Sequence, residues 1–236
     1  MTVTQRYRFI YKPLVFIACL APLAWLASGA LGWFGVSLGP DPVKELEHEC
    51  GKTALNLLLL TLAVTPVREL TRQPQLLRLR RMLGLFVFFY VVLHFIIYLV
   101  LDLELNFATL GADIAKRPYI TIGFTALLLL IPLAVTSTNG MMRRLGRRWQ
   151  TLHRLVYVIA VLGVWHFYWQ VKRDVREPLL YAGMLAILLG YRVVRARSRR
   201  RAAAASARGP VVDPRPAGPV TSSSGSGPTL RPSASD

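Results

Sequence analysis

The chain has 236 residues, of which 53% are hydrophobic and only 17% are charged, and this composition argues against a soluble globular protein. A formal net charge of +17 would suit a nucleic-acid-binding protein. The basic residues, however, are confined to alternate stretches between apolar blocks and form no continuous basic face, so the composition predicts a membrane protein instead.

Six apolar blocks follow one another along the chain, each suited to cross roughly 30 Å of hydrocarbon as a helix. Unpaired backbone groups are too costly in lipid, so each block is predicted to be a transmembrane α-helix. The second block is short, but Asp41 and Pro42 form a helix start before it and predict a polar helix over residues 43–50 that leads into the span. The predicted spans are residues 13–33, 53–66, 82–101, 119–136, 151–169 and 178–194.

The charges in the connecting segments predict the orientation of the six spans. Positive residues concentrate before the first span, between the second and third, between the fourth and fifth, and after the sixth. The intervening segments carry most of the acidic residues. By the positive-inside rule both termini are predicted to be cytoplasmic. The basic set comprises Arg6, Arg8, Lys12, Arg68, Arg72, Arg78, Arg80, Arg81, Arg143, Arg144, Arg147, Arg148 and the arginines from Arg192 onward; the acidic set comprises Asp41, Glu45, Glu47, Glu49, Asp102, Glu104 and Asp113.

The fold class predicted is therefore an all-α membrane protein, a six-transmembrane helix bundle in residues 1–195. The first span is predicted to be retained, since no small-residue cleavage site follows it. Cys19 and Cys50 fall at different depths, which argues against a disulfide between them. Residues 196–236 are rich in Arg, Ala, Ser, Pro and Gly and are predicted to form a disordered cytoplasmic tail. We recognise no internal repeat and no phosphate-binding loop in the sequence.

Two histidines lie inside predicted spans, where a metal-binding side chain is rare and usually functional. His94 lies roughly 18 Å along the third span and His166 roughly 22 Å along the fifth, which runs in the same direction. The two imidazoles are thus expected within about 4 Å of one another in depth, in the outer half of the bilayer. This is the arrangement that a haem with two histidine ligands requires. Because there is no C-x-x-C-H motif, any haem is expected to be held without thioether links.

The other two histidines are harder to assign. His153 lies about 20 Å closer to the cytoplasm than His166 on the same span, at an angle of roughly 140° on an ideal helix. It is compatible with ligation of an inner haem with a non-histidine sixth ligand, with a hydrogen bond to a quinone or flavin, or with a simple interfacial position. His48 lies between two glutamates and is predicted to be solvated.

Five motifs in order give the chain a resemblance to a known family. The stretch RRWQTLHRLVYVIAVLGVWHFYW at residues 147–169, with DPVKELEHECGKTALN, TPVREL, KRPYITIGF and TSTNGMMRRLG, resembles the MsrQ family of the ferric-reductase-like transmembrane superfamily over about residues 10–195. The resemblance implies a subunit of the bacterial inner membrane that binds one or two haem b groups, with FMN as an additional candidate cofactor. It further implies transfer of electrons from the quinone pool to MsrP, a periplasmic molybdopterin enzyme that reduces methionine sulfoxide in damaged proteins. By the same resemblance His94 and His166 are outer haem ligands and His153 an inner one.

The chain departs from superfamily members such as NADPH oxidases, which carry four helix-borne histidines and a fused dehydrogenase. Arg80 and Arg81 stand where the fourth ligand would lie, which leaves the inner haem open. The predicted disordered tail stands where the dehydrogenase would be, so electrons are expected from a diffusible or separate donor. Two rival functions remain from the residues alone. A transporter would line its path with the histidines but would also need mid-membrane carboxylates or broken helices. A non-catalytic anchor for a periplasmic enzyme would need no cofactor.

Overall fold

The computed structural model describes residue 5 and residues 7–35, 38–171 and 174–207, and every regular element in that part of the chain is helical. Short π-helical turns lie before the first α-helix and after the third, and 3-10 turns precede the second and third. We number the α-helices in chain order. They are α1 (Lys12–Ala30), α2 (Pro42–Thr71), α3 (Leu79–Ile97), α4 (Phe107–Lys116), α5 (Pro118–Val135), α6 (Asn139–Leu145), α7 (Arg147–Leu152), α8 (Leu155–Gln170) and α9 (Arg176–Ala207).

Six helical stretches are long and apolar enough to cross a membrane, and they contain α1, α2, α3, α5, α7 with α8, and α9. The predicted all-α bundle of six spans is therefore confirmed, whereas the cytoplasmic placement of both termini stays a prediction. We call the end of the bundle that carries the α2–α3 and α5–α7 connections the basic end. The opposite end, which carries residues 38–41 and 98–117 and the α8–α9 connection, is called the acidic end.

The second span is much longer than its apolar block. The predicted polar helix and the predicted span are one continuous helix, α2, which begins at Pro42 and ends at Thr71. Asp41 caps its N-terminus by accepting a hydrogen bond from the Lys44 backbone N–H at 3.3 Å. At the other end, Arg72 adopts a left-handed conformation with φ of 55° and stops the helix. Because α2 starts so early, its polar residues Glu47, His48 and Lys52 line a cavity at the acidic end.

Two antiparallel helix pairs form the centre of the bundle: α2 packs against α3, and α5 packs against α8. The larger core joins α2, α5, α8 and α9, with Leu62 and Ala160 completely buried and Leu130 among their neighbours. A second core joins α1 to the α2–α3 pair around Cys50 and Tyr90, which are both fully buried. These two cores hold α3 and α8 on opposite sides of the same interior space.

Tyr90 ties α3 to α1 through a pair of backbone hydrogen bonds. Its hydroxyl donates to the Cys19 carbonyl at 2.7 Å and accepts from the Leu23 N–H at 3.1 Å. These are the carbonyl and N–H that would otherwise bond to each other in α1, next to Pro22. The Tyr90 hydroxyl therefore provides hydrogen-bond partners for two backbone groups of the first span. Cys19 and Cys50 are buried free thiols.

The chain divides into two units, residues 1–195 and residues 196–236. The first unit is the helix bundle. In the second, α9 continues as an exposed helix to Ala207. Residues 208–236, which make up most of the tail predicted to be disordered, lie outside the described residues, so that disorder stays a prediction.

Candidate functional site

His94 on α3 and His166 on α8 face one another inside the bundle. Their ring centroids are 6.2 Å apart and their ring planes are inclined by 79°. Helices α3 and α8 run in the same direction, so residues at matched distances from the basic end reach the same level. The structure thus brings together the two histidines that the sequence placed at one depth.

Each imidazole is held by a backbone carbonyl of the neighbouring helix. Nδ1 of His94 lies 2.9 Å from the carbonyl oxygen of Glu47 on α2, and Nδ1 of His166 lies 2.7 Å from that of Tyr119 on α5. A carbonyl oxygen can only accept, so each Nδ1 carries the proton and donates it. Each Nε2 is then left with a free lone pair, which is the tautomer of a metal-binding histidine oriented by a carbonyl.

A glycine makes room for each ring. A Cβ added to Gly51 would lie 3.3 Å from Nδ1 and Cε1 of His94, and a Cβ added to Gly123 would lie 2.9 Å from the same atoms of His166. Carbon atoms in contact normally approach no closer than about 3.5 Å. Any larger residue at Gly123 would therefore push the imidazole out of its position.

The two histidine supports repeat one arrangement. The carbonyl residue precedes its histidine by 47 positions in both cases. The glycine follows the carbonyl residue by one helical turn and opens the sequence GKTAL in α2 and GFTAL in α5. A short G-x-T-A-L motif therefore occurs twice in the chain. The match is short and lies in leucine-rich helices. Its role in supporting the histidines is evident only from the contacts between the carbonyl, the glycine and the imidazole.

Both imidazoles line a cavity of about 1440 Å³, which exceeds the roughly 300–1,000 Å³ typical of small-molecule sites. Towards the middle of the bundle its walls are aliphatic, and towards the acidic end they carry charged side chains. The aliphatic wall includes Leu55, Leu58, Val87, Val91, Leu127 and Leu130; the charged residues are Asp41, Lys44, Glu45, Glu47, Lys52, Asp102 and Arg117.

The distance between the rings fits a single metal with two axial imidazoles. A metal–nitrogen bond of ~2 Å, with the nitrogen roughly 1.1 Å from its ring centre, puts two such centroids about 6 Å apart. The observed separation is 6.2 Å. Among the described residues no group of three or more His, Cys, Asp or Glu side chains converges as a metal site. Two imidazoles suffice only where a macrocycle supplies the other ligands, so the pair and its cavity fit a haem.

Comparison of the sequence with known proteins shows the family of this chain. Residues 50–164 match the family model described as ferric reductase like transmembrane component. A protein of Xanthomonas campestris pv. campestris (strain B100) is 53% identical over 209 residues, which cover 86% of this chain and 95% of the relative. The chain belongs to the MsrQ family. No solved structure matches it.

Further MsrQ relatives cover similar shares of the chain. A protein of Xanthomonas oryzae pv. oryzae (strain MAFF 311018) is 49% identical over 91% of this chain and 100% of its own length. One of Rhodospirillum rubrum is 52% identical over 79% of this chain and 89% of its own length. All three relatives are named protein-methionine-sulfoxide reductase heme-binding subunit MsrQ.

In this MsrQ chain His153 stands apart from the facing pair. It lies in the turn between α7 and α8, where it stacks on Trp149 with ring centroids 4.0 Å apart. Its Nε2 lies 3.2 Å from the hydroxyl of Thr136, which itself donates to the Pro132 carbonyl at 2.6 Å. Nε2 of His153 is therefore the donor, and Nδ1 holds the lone pair. Because the chain turns here, the angle of 140° that an ideal helix would give does not apply.

No described histidine lies opposite His153. Arg81, one of the two residues at the level of a fourth ligand, donates to Asn139 at 2.6 Å and contacts the sulfur of Met142. The other, Arg80, lies near enough to His153 to act on it electrostatically. In this chain, therefore, the charged group that acts on His153 is an arginine.

Sequence reasoning missed His48. Instead of being solvated, it is half-buried and lines the large cavity, with its ring 5.7 Å from that of Phe167. The early start of α2 places Lys44, His48 and Lys52 one turn apart along the same cavity wall. At the rim, the side-chain hydrogen bond from Lys44 holds the pKa of the exposed Asp41 carboxyl below its usual value.

Proposed function

We propose that this chain is a haem b-binding electron-transfer subunit of a protein-methionine-sulfoxide reductase system in a bacterial inner membrane. It carries electrons from the quinone pool to MsrP, a periplasmic molybdopterin reductase that repairs oxidised periplasmic proteins. The observation that supports this most directly is the facing pair His94 and His166, each with Nδ1 bonded to a carbonyl and each lining a large cavity. The names of the relatives point to the same cofactor.

Different parts of the cavity wall suit different parts of the cofactor. His94 and His166 would supply the two protein ligands of the iron, and the aliphatic wall would exclude water from the bound group. Lys44, Lys52 and Arg117 lie towards the acidic end, where they suit the carboxylates of haem propionates. Bound haem supplies reversible one-electron chemistry.

The residues that line the cavity at the acidic end support the proposed direction of transfer. Its lining includes Gly39 and Pro40 in the α1–α2 connection and Val171 after α8, all at the acidic end. In the orientation predicted by the positive-inside rule this end is periplasmic. A cofactor bound in the cavity would be within reach of a docked MsrP at this end, and the carboxylates there offer complementary charge to a basic partner surface.

Electron entry is assigned to the basic end. By family resemblance His153 is the proposed ligand of an inner haem, and FMN is a proposed further cofactor of the same path. Ligation by the Nε2 of His153 requires the hydrogen bond to Thr136 to break. Quantifying haem and flavin per polypeptide in the wild type and in His153→Ala tests both assignments: an inner haem predicts the loss of one haem equivalent in the variant.

The complete path is tested by reconstituting the purified protein in lipid nanodiscs. A reduced quinol analogue is expected to produce the absorbance bands of reduced haem, and addition of MsrP with a methionine sulfoxide substrate is expected to reverse them. Haem that dithionite reduces but quinol does not would contradict the quinone donor. Bands that persist after MsrP and substrate are added would contradict the acceptor.

Two alternatives make different predictions for the same preparation. A membrane anchor would purify without pigment. A transporter would move a solute whether or not haem is bound, yet the imidazoles here are fixed by backbone hydrogen bonds rather than free to bind and release a solute. Pigment that disappears with either histidine favours the electron-transfer function over both.

A further inference from the structure

A cluster of arginines at the basic end has too few carboxylates to balance it. Glu69 is the only acidic residue of the described chain on this side of the bundle. It is already bonded to Arg68 at 3.1 Å, to Arg195 and to the hydroxyl of Tyr191. Two further guanidiniums, Arg80 and Arg192, have no carboxylate partner among the described residues.

Hydrogen bonds from its terminal nitrogens hold the guanidinium of Arg192 on α9, but its Nε–H has no acceptor. It donates to the Tyr157 hydroxyl and to the Leu62 carbonyl, both at 2.8 Å, and its guanidinium carbon lies 5.1 Å from the Tyr157 ring centre. The Leu62 carbonyl is open because the residue one turn later, Pro66, has no N–H. The buried Nε of Arg192 has no hydrogen-bond partner among the described residues.

Arg80 at the start of α3 is half-buried and makes no hydrogen bond or ion pair with any described residue. The leucines at 79 and 83, on either side of it, belong to one buried cluster with Val64 of α2. Arg192 bonds to Leu62 and Thr65, on either side of Val64, so the two guanidiniums lie at the same end of α2. Arg192 and Arg68 are like charges near Arg80, and Tyr157 is its other polar neighbour. Two guanidiniums held near one another away from bulk water repel, and an unpaired buried charge is costly. The exposed arginines of the α5–α7 connection, by contrast, are solvated and need no partner.

We propose that Arg80 and Arg192 form a binding site for a phosphate group at the basic end of the bundle. A dianionic phosphate offsets two positive charges, and its oxygens accept from the Nε edge of Arg192 and from the free donors of Arg80. Arg80 is near enough to His153 to act on it electrostatically, so the bound molecule would lie at the end of the bundle where electrons enter in the proposed function. Two kinds of molecule present this chemistry there, the phosphate of a flavin mononucleotide and the headgroup of an anionic phospholipid. Only the flavin source rests on the proposed function.

The test compares the purified full-length protein with Arg80→Gln and Arg192→Gln, and uses Arg147→Gln as the matched control because Arg147 is exposed and lies on another connection. Binding of FMN and of riboflavin, which lacks the phosphate, is measured by flavin fluorescence. Native mass spectrometry of the same samples reports retained phospholipid. Arg80→Lys keeps the charge but not the forked geometry and should retain part of the binding. Gel filtration shows whether each variant is folded.

If flavin nucleotide fills the site, the wild type and Arg147→Gln bind FMN about tenfold or more tightly than riboflavin, and both cluster variants lose that preference. If phospholipid fills it, FMN and riboflavin bind alike, and retained anionic phospholipid is lost only from the cluster variants. A folded Arg80→Gln, Arg192→Gln double variant that keeps the wild-type FMN preference and the wild-type phospholipid would overturn the site. A colourless protein would contradict the haem function and would leave these measurements valid.

Discussion

Backbone carbonyls and glycines, which are not themselves metal ligands here, hold the imidazoles of His94 and His166 in position. Two backbone carbonyls set the tautomer, and two glycines leave room for the rings. The histidines were predictable because their depth follows from helix geometry. Their supports were not, since neither the acceptor of an Nδ1 proton nor the space beside a ring can be deduced from residue type. The repeated G-x-T-A-L was visible in the sequence, but only contact with the imidazoles gives it meaning.

Gly123→Ala is expected to displace His166. The new Cβ would lie 2.9 Å from Nδ1 and Cε1 of the ring, so the imidazole must shift and its hydrogen bond to Tyr119 must lengthen or break. Gly51→Ala, at 3.3 Å from His94, should have the same effect more weakly. The measurement is the haem-to-protein ratio with the reduced absorbance spectrum. Gly84→Ala on α3 is the control, because its Cβ would meet nothing within 4 Å; equal spectra in all three variants would show that the glycines do not position the ligands.

The ring planes of the pair predict a spectroscopic signature. They are inclined by 79°, close to perpendicular. Near-perpendicular imidazoles on a ferric low-spin haem produce a highly anisotropic EPR signal with one large g value, whereas parallel imidazoles produce a rhombic spectrum with three resolved features. We expect the anisotropic form from the oxidised protein. A rhombic signal that disappears in His94→Ala would show that the rings rotate when the iron binds.

Among the helices, the six spans were predictable from hydropathy and the polar start of α2 from Asp41 and Pro42. The contact of that polar segment with the cavity was not predictable. The first turns of α2 hold Lys44, Glu45, Glu47 and Glu49, which resemble a surface segment in the sequence. In the structure this polar segment is helical because Asp41 caps it and because one of its faces lines the cavity. The turn at His153 was likewise hidden, since the fifth apolar block reads as one uninterrupted helix. Both deviations occur at the proposed cofactor sites.

Tyr90→Phe tests how far α1 depends on α3. The hydroxyl bridges the Cys19 carbonyl and the Leu23 N–H, and without it α1 loses both of these hydrogen bonds to α3. Loss of buried hydrogen bonds of this kind costs about 1–3 kcal/mol. We expect a lower midpoint of unfolding in detergent. Tyr168→Phe is the control, since Tyr168 is exposed, and equal loss of stability in the two variants would contradict the bridging role.

The orientation of the bundle as a whole remains a prediction from charge, and single cysteines can test it. Glu104→Cys at the acidic end and Arg144→Cys at the basic end are both at exposed positions, while the natural Cys19 and Cys50 are buried. A membrane-impermeant maleimide is expected to label Glu104→Cys in spheroplasts and to label Arg144→Cys only after lysis. The reverse pattern would place the acidic end in the cytoplasm and would contradict delivery of electrons to a periplasmic partner.

The central claim is that two imidazoles from different spans hold one haem iron, and the most direct measurement is haem content by pyridine haemochrome. It is applied to the wild type, His94→Ala, His166→Ala and Gly84→Ala after expression with ample haem supply. The account predicts pigment in the wild type and in Gly84→Ala, and the loss of at least one haem equivalent with its reduced bands in each histidine variant. A colourless wild type, or histidine variants with full haem content and unchanged bands, would contradict it.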